Sequence, residues 1–132
     1  MNGTQWASVQ LKLNKAKSLL SEMPLLRQHH LNATIINRLY YACYHATRAL
    51  LLTKNYIPKT HSGVVSLLHQ HFVLHNIFDA DKASFFSRLM QERMDDDYSD
   101  FSIVEDDVVE EFAEPANEYI EYIESLILQT KE

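Results

Sequence analysis

Two glycines and three prolines in 132 residues leave this chain few places to turn tightly. Sheets need frequent turns, which draw on glycine for positive φ and on proline for a preset φ. A chain poor in both is best served by long helices joined by few connections. The apolar spacing agrees, because hydrophobic residues recur at three and four, the repeat of one helix face. The predicted class is all-α. The expected architecture is an antiparallel up-and-down bundle of four long helices plus one shorter helix, in a single domain over residues 1–132.

The first predicted helix covers residues 4–27. Trp6, Val9, Leu11, Leu13, Ala16, Leu19 and Leu20 supply a mostly apolar side, Lys12, Lys15 and Lys17 lie outside it, and Pro24 ends or kinks it. The second covers residues 32–54, with Ile35, Ile36, Leu39, Cys43, Ala46 and Leu50 as core stripe. Residues 55–59 read as a loop. A third helix starts from a cap at Thr60 or Ser62 and stops near His75 and Asn76. A fourth, capped by Asp79 or Asp81, carries Ala83, Phe85, Phe86, Leu89 and Met90 inward. The acidic residues 95–100 read as a turn. Ser102 and Glu105 have the spacing of a capping box opening a last helix to about Leu128, with a kink or break at Pro115.

A net charge of −6 argues against broad nonspecific nucleic-acid binding. The charge is unevenly spread. Residues 1–75 sum to +7 and contain all seven histidines, whereas residues 76–132 sum to −13. Either a local positive site sits on an acidic protein, or basic and acidic helices neutralise one another. No apolar run approaches the roughly 18 residues that span a bilayer. The first residues lack a signal-peptide pattern, and one cysteine makes no internal disulfide. No membrane association and a cytoplasmic location are expected.

The second predicted helix carries the candidate chemistry. On a helical wheel Thr34, Arg38, Tyr41, His45 and Arg48 form one polar sector, well away from the core stripe. Tyr40, Tyr44 and Leu51 form a third, bulky sector that suggests contact with a partner. Arg38 and His45 are the candidate catalytic pair. Thr34, Tyr41, Arg48 and Arg93 are candidate phosphate or nucleotide ligands. Arg93 and Asp97 also have the i, i+4 spacing of a simple helix pair. His61, His69, His71 and His75 have no nearby cysteine or acidic ligand and read as solvated, so no metal is expected. Cys43 lies in the core stripe and reads as inert.

Three segments together resemble one family. Arg38-x-Tyr40-Tyr41-Ala42-x-Tyr44-His45-Ala46-x-Arg48-Ala49-Leu50-Leu51 is similar to the second-helix signature of the HEPN domain (higher eukaryotes and prokaryotes nucleotide-binding). Lys59-Thr60-His61-Ser62-Gly63 resembles the start of its third helix. Arg93-x-x-x-Asp97-Tyr98-Ser99-Asp100-Phe101 resembles the turn before its last long helix. The resemblance implies a helical bundle that dimerises, here through the second predicted helix. It also implies either of two activities. One is a metal-independent ribonuclease of toxin–antitoxin type, in which an Arg and a His separated by four to six residues cleave RNA. The other is a nucleotide-binding or docking module beside a minimal nucleotidyltransferase. Neither requires a cofactor. This chain has Leu39 where the family often places a polar residue, and Thr47 where some nucleases have a tyrosine modified by their antitoxin.

For the ribonuclease reading, His45 would move the proton, Arg38 would hold the phosphate, and Tyr41 would orient phosphate or stack on a base. A two-fold dimer would bring a second histidine. For the binding reading, the same stripe with Arg93 would hold a nucleotide. A purely structural dimer would leave the stripe in solvent.

Overall fold

Asn2 caps the first helix, its side-chain oxygen accepting from the Gln5 amide at 2.7 Å. The computed structural model describes residues 1–98 and 103–131, and those residues are all-α. Four helices are long: α1 (Gly3–Leu20), α3 (Asn32–Leu52), α5 (Ala80–Tyr98) and α6 (Asp106–Lys131). Two are short: α2 (Met23–Gln28) and α4 (His61–Leu68), the latter running on into a π-helical turn at His69–Val73. The expected first helix is thus two helices. Pro24 stands in the first turn of α2, where its missing N–H would have no intrahelical partner anyway. Thr60 caps α4 as predicted.

A glycine-poor chain must still stop its helices. His30, Asn55 and Asn76 do so at φ of 52°, 66° and 58°, the left-handed region usually left to glycine. Asparagine tolerates this region better than most residues because its side chain bonds locally.

Helix α3 is the centre, packing against α1, α2, α4, α5 and α6. Its predicted stripe is buried throughout. Tyr40 and Leu51, expected at a partner contact, are instead fully buried in this chain's own core. The cause is the number of neighbours, because a helix covered on several sides buries more than one stripe. Phe86 of α5 stacks on Tyr40 at 5.9 Å and 7° between planes. Tyr44 alone of that sector stays half-buried.

Two other expectations are corrected. Residues 95–98 continue α5 instead of turning: Asp95 is exposed, so the helix does not desolvate its charge, and it accepts from Gln91 Nε2 at 2.8 Å. Of the kink or break expected at Pro115, the break does not occur: helix α6 runs unbroken through it, with Phe112, Ala113, Ala116 and Tyr119 buried on both sides of the proline. Ser99, Asp100, Phe101 and Ser102 lie outside the described residues, as do the side chains of Asp97 and Tyr98. The capping box and the Arg93–Asp97 pairing therefore fall outside them too.

The basic and acidic halves partly neutralise one another, since Lys17 pairs with Glu124 and Arg27 with Glu110. A buried hydroxyl pair links α3 to α6 across the core. The Thr47 hydroxyl bonds the Cys43 carbonyl at 2.7 Å and the Tyr119 hydroxyl at 2.6 Å. Thr47→Val keeps the shape but leaves the fully buried Tyr119 hydroxyl without that partner. It should cost about 1–3 kcal/mol, read as a lower urea midpoint.

Candidate functional site: a basic groove between α1 and α3

Val9, Leu13 and Ala16 anchor α1 on α3, and their spacing turns Ser8, Lys12 and Lys15 toward one flank of the contact. From α3, His45 and Arg48 face the same flank, three residues apart. Ala7, Ser8, Leu11, Lys12, Lys15, His45 and Arg48 line a groove of about 420 Å³. Its lining holds three cations and no carboxylate. Lys12 Nζ donates to Ser8 Oγ at 3.2 Å. Among the described residues, Lys12, Lys15 and Arg48 form no ion pair, so their field acts on the groove.

His45 forms the floor. It is 9% exposed, and its Nδ1 is buried with no hydrogen-bond partner among the described residues. Nε2 is then the nitrogen that reaches the surface. Burial, and then Lys15, Arg48, Lys12 and His61, hold the imidazole down at about 4 from an ordinary 6.5. Each disfavours a further positive charge. His45 is thus neutral near pH 7 and able to accept a proton.

Beside the groove stands an aromatic cluster. His61, in the first turn of α4, stacks on Tyr44 at 4.4 Å and 15°. His45 approaches the same ring edge-on at 5.4 Å, and the Arg48 guanidinium lies 5.6 Å from its centre. Tyr41 is edge-on to His61 at 5.8 Å. From α5, Arg93 lies over Tyr40 at 4.9 Å and over Tyr41 at 5.6 Å. Tyr40 and His61 share a hydrogen bond of 2.5 Å at Nδ1.

The fold therefore brings Tyr41, His45, Arg48 and Arg93 into one neighbourhood. Arg38 is elsewhere. Seven residues of helix place it about 10 Å further along the α3 axis than His45. Its Nη1 donates to Asn37 Oδ1 at 2.8 Å, and its Nε lies 3.4 Å from Glu22, the one acid among residues 1–75. Thr34 lies a further turn back and is half-buried. Sequence reasoning assigned no site role to Lys12, Lys15, Tyr44 or His61. The Ser8, Lys12, Lys15 spacing was a visible signal, but which neighbour that line meets is a tertiary fact.

No group of three or more His, Cys, Asp or Glu residues suited to a metal occurs among the described residues. His71 is stacked on Tyr56 at 4.3 Å. Burial pushes the Cys43 thiol up, away from the reactive thiolate. No described helix is long and apolar enough to cross a membrane.

The HEPN domain family model matches residues 9–126. A UPF0332 protein of Thermotoga maritima is 28% identical over 117 residues, covering 89% of each chain. A Methanocaldococcus jannaschii relative, named Putative toxin MJ0605, is 38% identical over 65 residues, which is 49% of this chain and 48% of the relative. A second from that organism, Putative toxin MJ0142, is 29% identical over 86 residues, 65% of this chain and 58% of the relative. With a match over nearly its whole length and an all-α fold among the described residues, the chain belongs to the HEPN domain family.

Proposed function

We propose that the protein is a metal-independent RNA endonuclease of toxin type, with His45 as the proton-transfer group. One observation carries this reading: a buried, neutral imidazole forms the floor of a groove lined by Lys12, Lys15 and Arg48 with no carboxylate. That lining suits a polyanion. In such chemistry the RNA 2′-hydroxyl attacks the adjacent phosphorus as the P–O5′ bond breaks, leaving a 2′,3′-cyclic phosphate and a 5′-hydroxyl whose departing oxygen takes up a proton, so the protein supplies proton transfer and charge stabilisation. His45 Nε2 accepts the 2′-hydroxyl proton. Arg48 and the lysines hold the phosphate, with Tyr41 available to stack on a base. Arg38 binds a neighbouring phosphate once Glu22, a half-exposed partner, is displaced.

The names of the two Methanocaldococcus jannaschii relatives support the toxin assignment, and a small nucleotidyltransferase is the antitoxin we propose. The proposed assembly is a two-fold dimer built on α3, covering Leu11, which is 73% exposed beside the groove. Sedimentation of the purified chain as a monomer at micromolar concentration would remove the dimer. The activity is tested by incubating single-stranded and loop RNA with the protein in EDTA, where cleavage is expected and intact RNA ends the reading.

The pH profile follows from the groove. Protonated His45 cannot accept a proton, so kcat/KM should fall on the acid side with a midpoint near 4, the value in the free protein. A bound phosphodiester offsets the surrounding positive charge and raises His45, so the corresponding fall in kcat should lie at higher pH. Coincident midpoints would place the base elsewhere.

A second reading rests on Arg38. Because Arg38 is engaged by Glu22 and Asn37, the chain also suits a non-catalytic nucleotide-binding module working with a nucleotidyltransferase. Calorimetry with ATP and related nucleotides separates the two, since nucleotide binding without RNA cleavage selects the module.

A further inference from the structure

A metal-free cleavage site needs more than a base. Negative charge grows on the non-bridging phosphate oxygens, and a fixed donor aimed at them lowers the barrier. His61 has the geometry of such a donor. Its ring is held on three sides. Tyr44 stacks on one face, and Tyr41 meets it edge-on. Tyr40 bonds Nδ1 at 2.5 Å. Its backbone is held as well, because Thr60 caps α4 by accepting from the Gly63 amide at 2.9 Å. A Cβ at Gly63 would stand 2.9 Å from that hydroxyl, so glycine is what lets the cap close.

The Tyr40 bond decides which His61 nitrogen carries the proton. Tyr40 is fully buried, and burial raises its phenol, so it keeps its proton at neutral pH. A neutral phenol could also accept from Nδ1–H, but its own buried O–H would then have no acceptor among the described residues, so Tyr40 is the donor and His61 Nδ1 the acceptor. A neutral His61 then carries its own proton on Nε2, pointing away from Tyr40. Burial, with Arg93 and Arg48, lowers His61 and favours this neutral form.

We propose that His61 is a catalytic hydrogen-bond donor, its tautomer set by Tyr40, presenting Nε2–H to a non-bridging oxygen of the phosphate that Arg48 holds beside His45. The juxtaposition behind it is one tyrosine ring, Tyr44, flanked by His61 on its face, His45 at its edge and Arg48 above it. Each protomer then contains both the proton acceptor and the charge-stabilising donor. This inference rests on the ribonuclease reading and adds a residue to it.

Two variants and a sulfur probe test it. Asn in place of His61 keeps an acceptor near Nδ1 for Tyr40 and removes the outward donor, whereas Gln keeps an amide N–H near Nε2. His61→Asn should lower kcat by about 10²–10³-fold with little change in KM, and His61→Gln should recover part of that loss. Sulfur at a non-bridging position accepts hydrogen bonds poorly. The wild type should therefore slow on one phosphorothioate diastereomer of an RNA oligonucleotide more than on the other, and His61→Asn should lose that discrimination. Wild-type kcat with undiminished discrimination in His61→Asn would overturn the inference and leave the nuclease standing. A fall in kcat with discrimination intact would assign His61 a structural role and overturn it likewise. A wild type that cleaves no RNA would end both.

Discussion

His45→Ala should cut RNA cleavage by about 10²–10⁴-fold, the usual contribution of a positioned proton-transfer group. RNA should still bind, because Lys12, Lys15 and Arg48 remain to hold phosphate. The variant should stay folded. The buried Nδ1 has no hydrogen-bond partner to lose among the described residues, so what the truncation costs is the space the ring leaves beside Tyr44. Fluorescence anisotropy with an oligonucleotide, beside a single-turnover cleavage assay, separates the two effects. Undiminished cleavage would remove His45 from the mechanism. The substitution should also change the pH dependence of stability. Folded His45 takes up its proton near 4, and the unfolded imidazole near 6.5. Between those values the unfolded chain binds more protons, so the wild type loses stability as pH falls through that window. His45→Ala should flatten this part of the stability curve.

Phe86→Ala should cost about 3–5 kcal/mol, a large share of the roughly 5–15 kcal/mol typical of a folded domain. Phe86 is fully buried and stacks on Tyr40 at 5.9 Å and on Tyr119 at 5.6 Å. It thereby ties α5 to both α3 and α6. Its removal leaves a cavity behind Tyr40, whose hydroxyl meets His61. Cleavage by the folded fraction should therefore fall as well, although Phe86 lies outside the groove. Urea unfolding gives the first effect directly. A loss under about 1 kcal/mol would show that the site closes up around the deletion.

Much of this fold could be read from residue spacing. Ile35, Ile36, Leu39, Cys43, Ala46 and Leu50 repeat at three and four and are all buried, because burial of one stripe is a local property of a helix. The Thr60 cap was legible for the same reason. Tyr40 and Leu51 were misplaced because a single wheel cannot say how many neighbours a helix has. The two interior prolines diverged in the same way. Pro24 opens a new helix, while Pro115 is carried through by buried residues on either side. At the site, His45 and Arg48 were legible as types at a helical spacing. Lys12 and Lys15 join them only through the rotation of α1 against α3. Arg38 meets Glu22, the residue that opens α2, because α2 packs against α3, which no periodicity encodes.

The helix stops at His30, Asn55 and Asn76 have a thermodynamic consequence in the chain before it folds. A left-handed residue with a side chain is strained by roughly 1–2 kcal/mol, less for asparagine. Glycine would relieve that strain but would give the unfolded chain many more backbone states to lose, worth about 0.4–1 kcal/mol. The two effects oppose one another, so the strain held at these three corners is matched in part by a narrower unfolded ensemble.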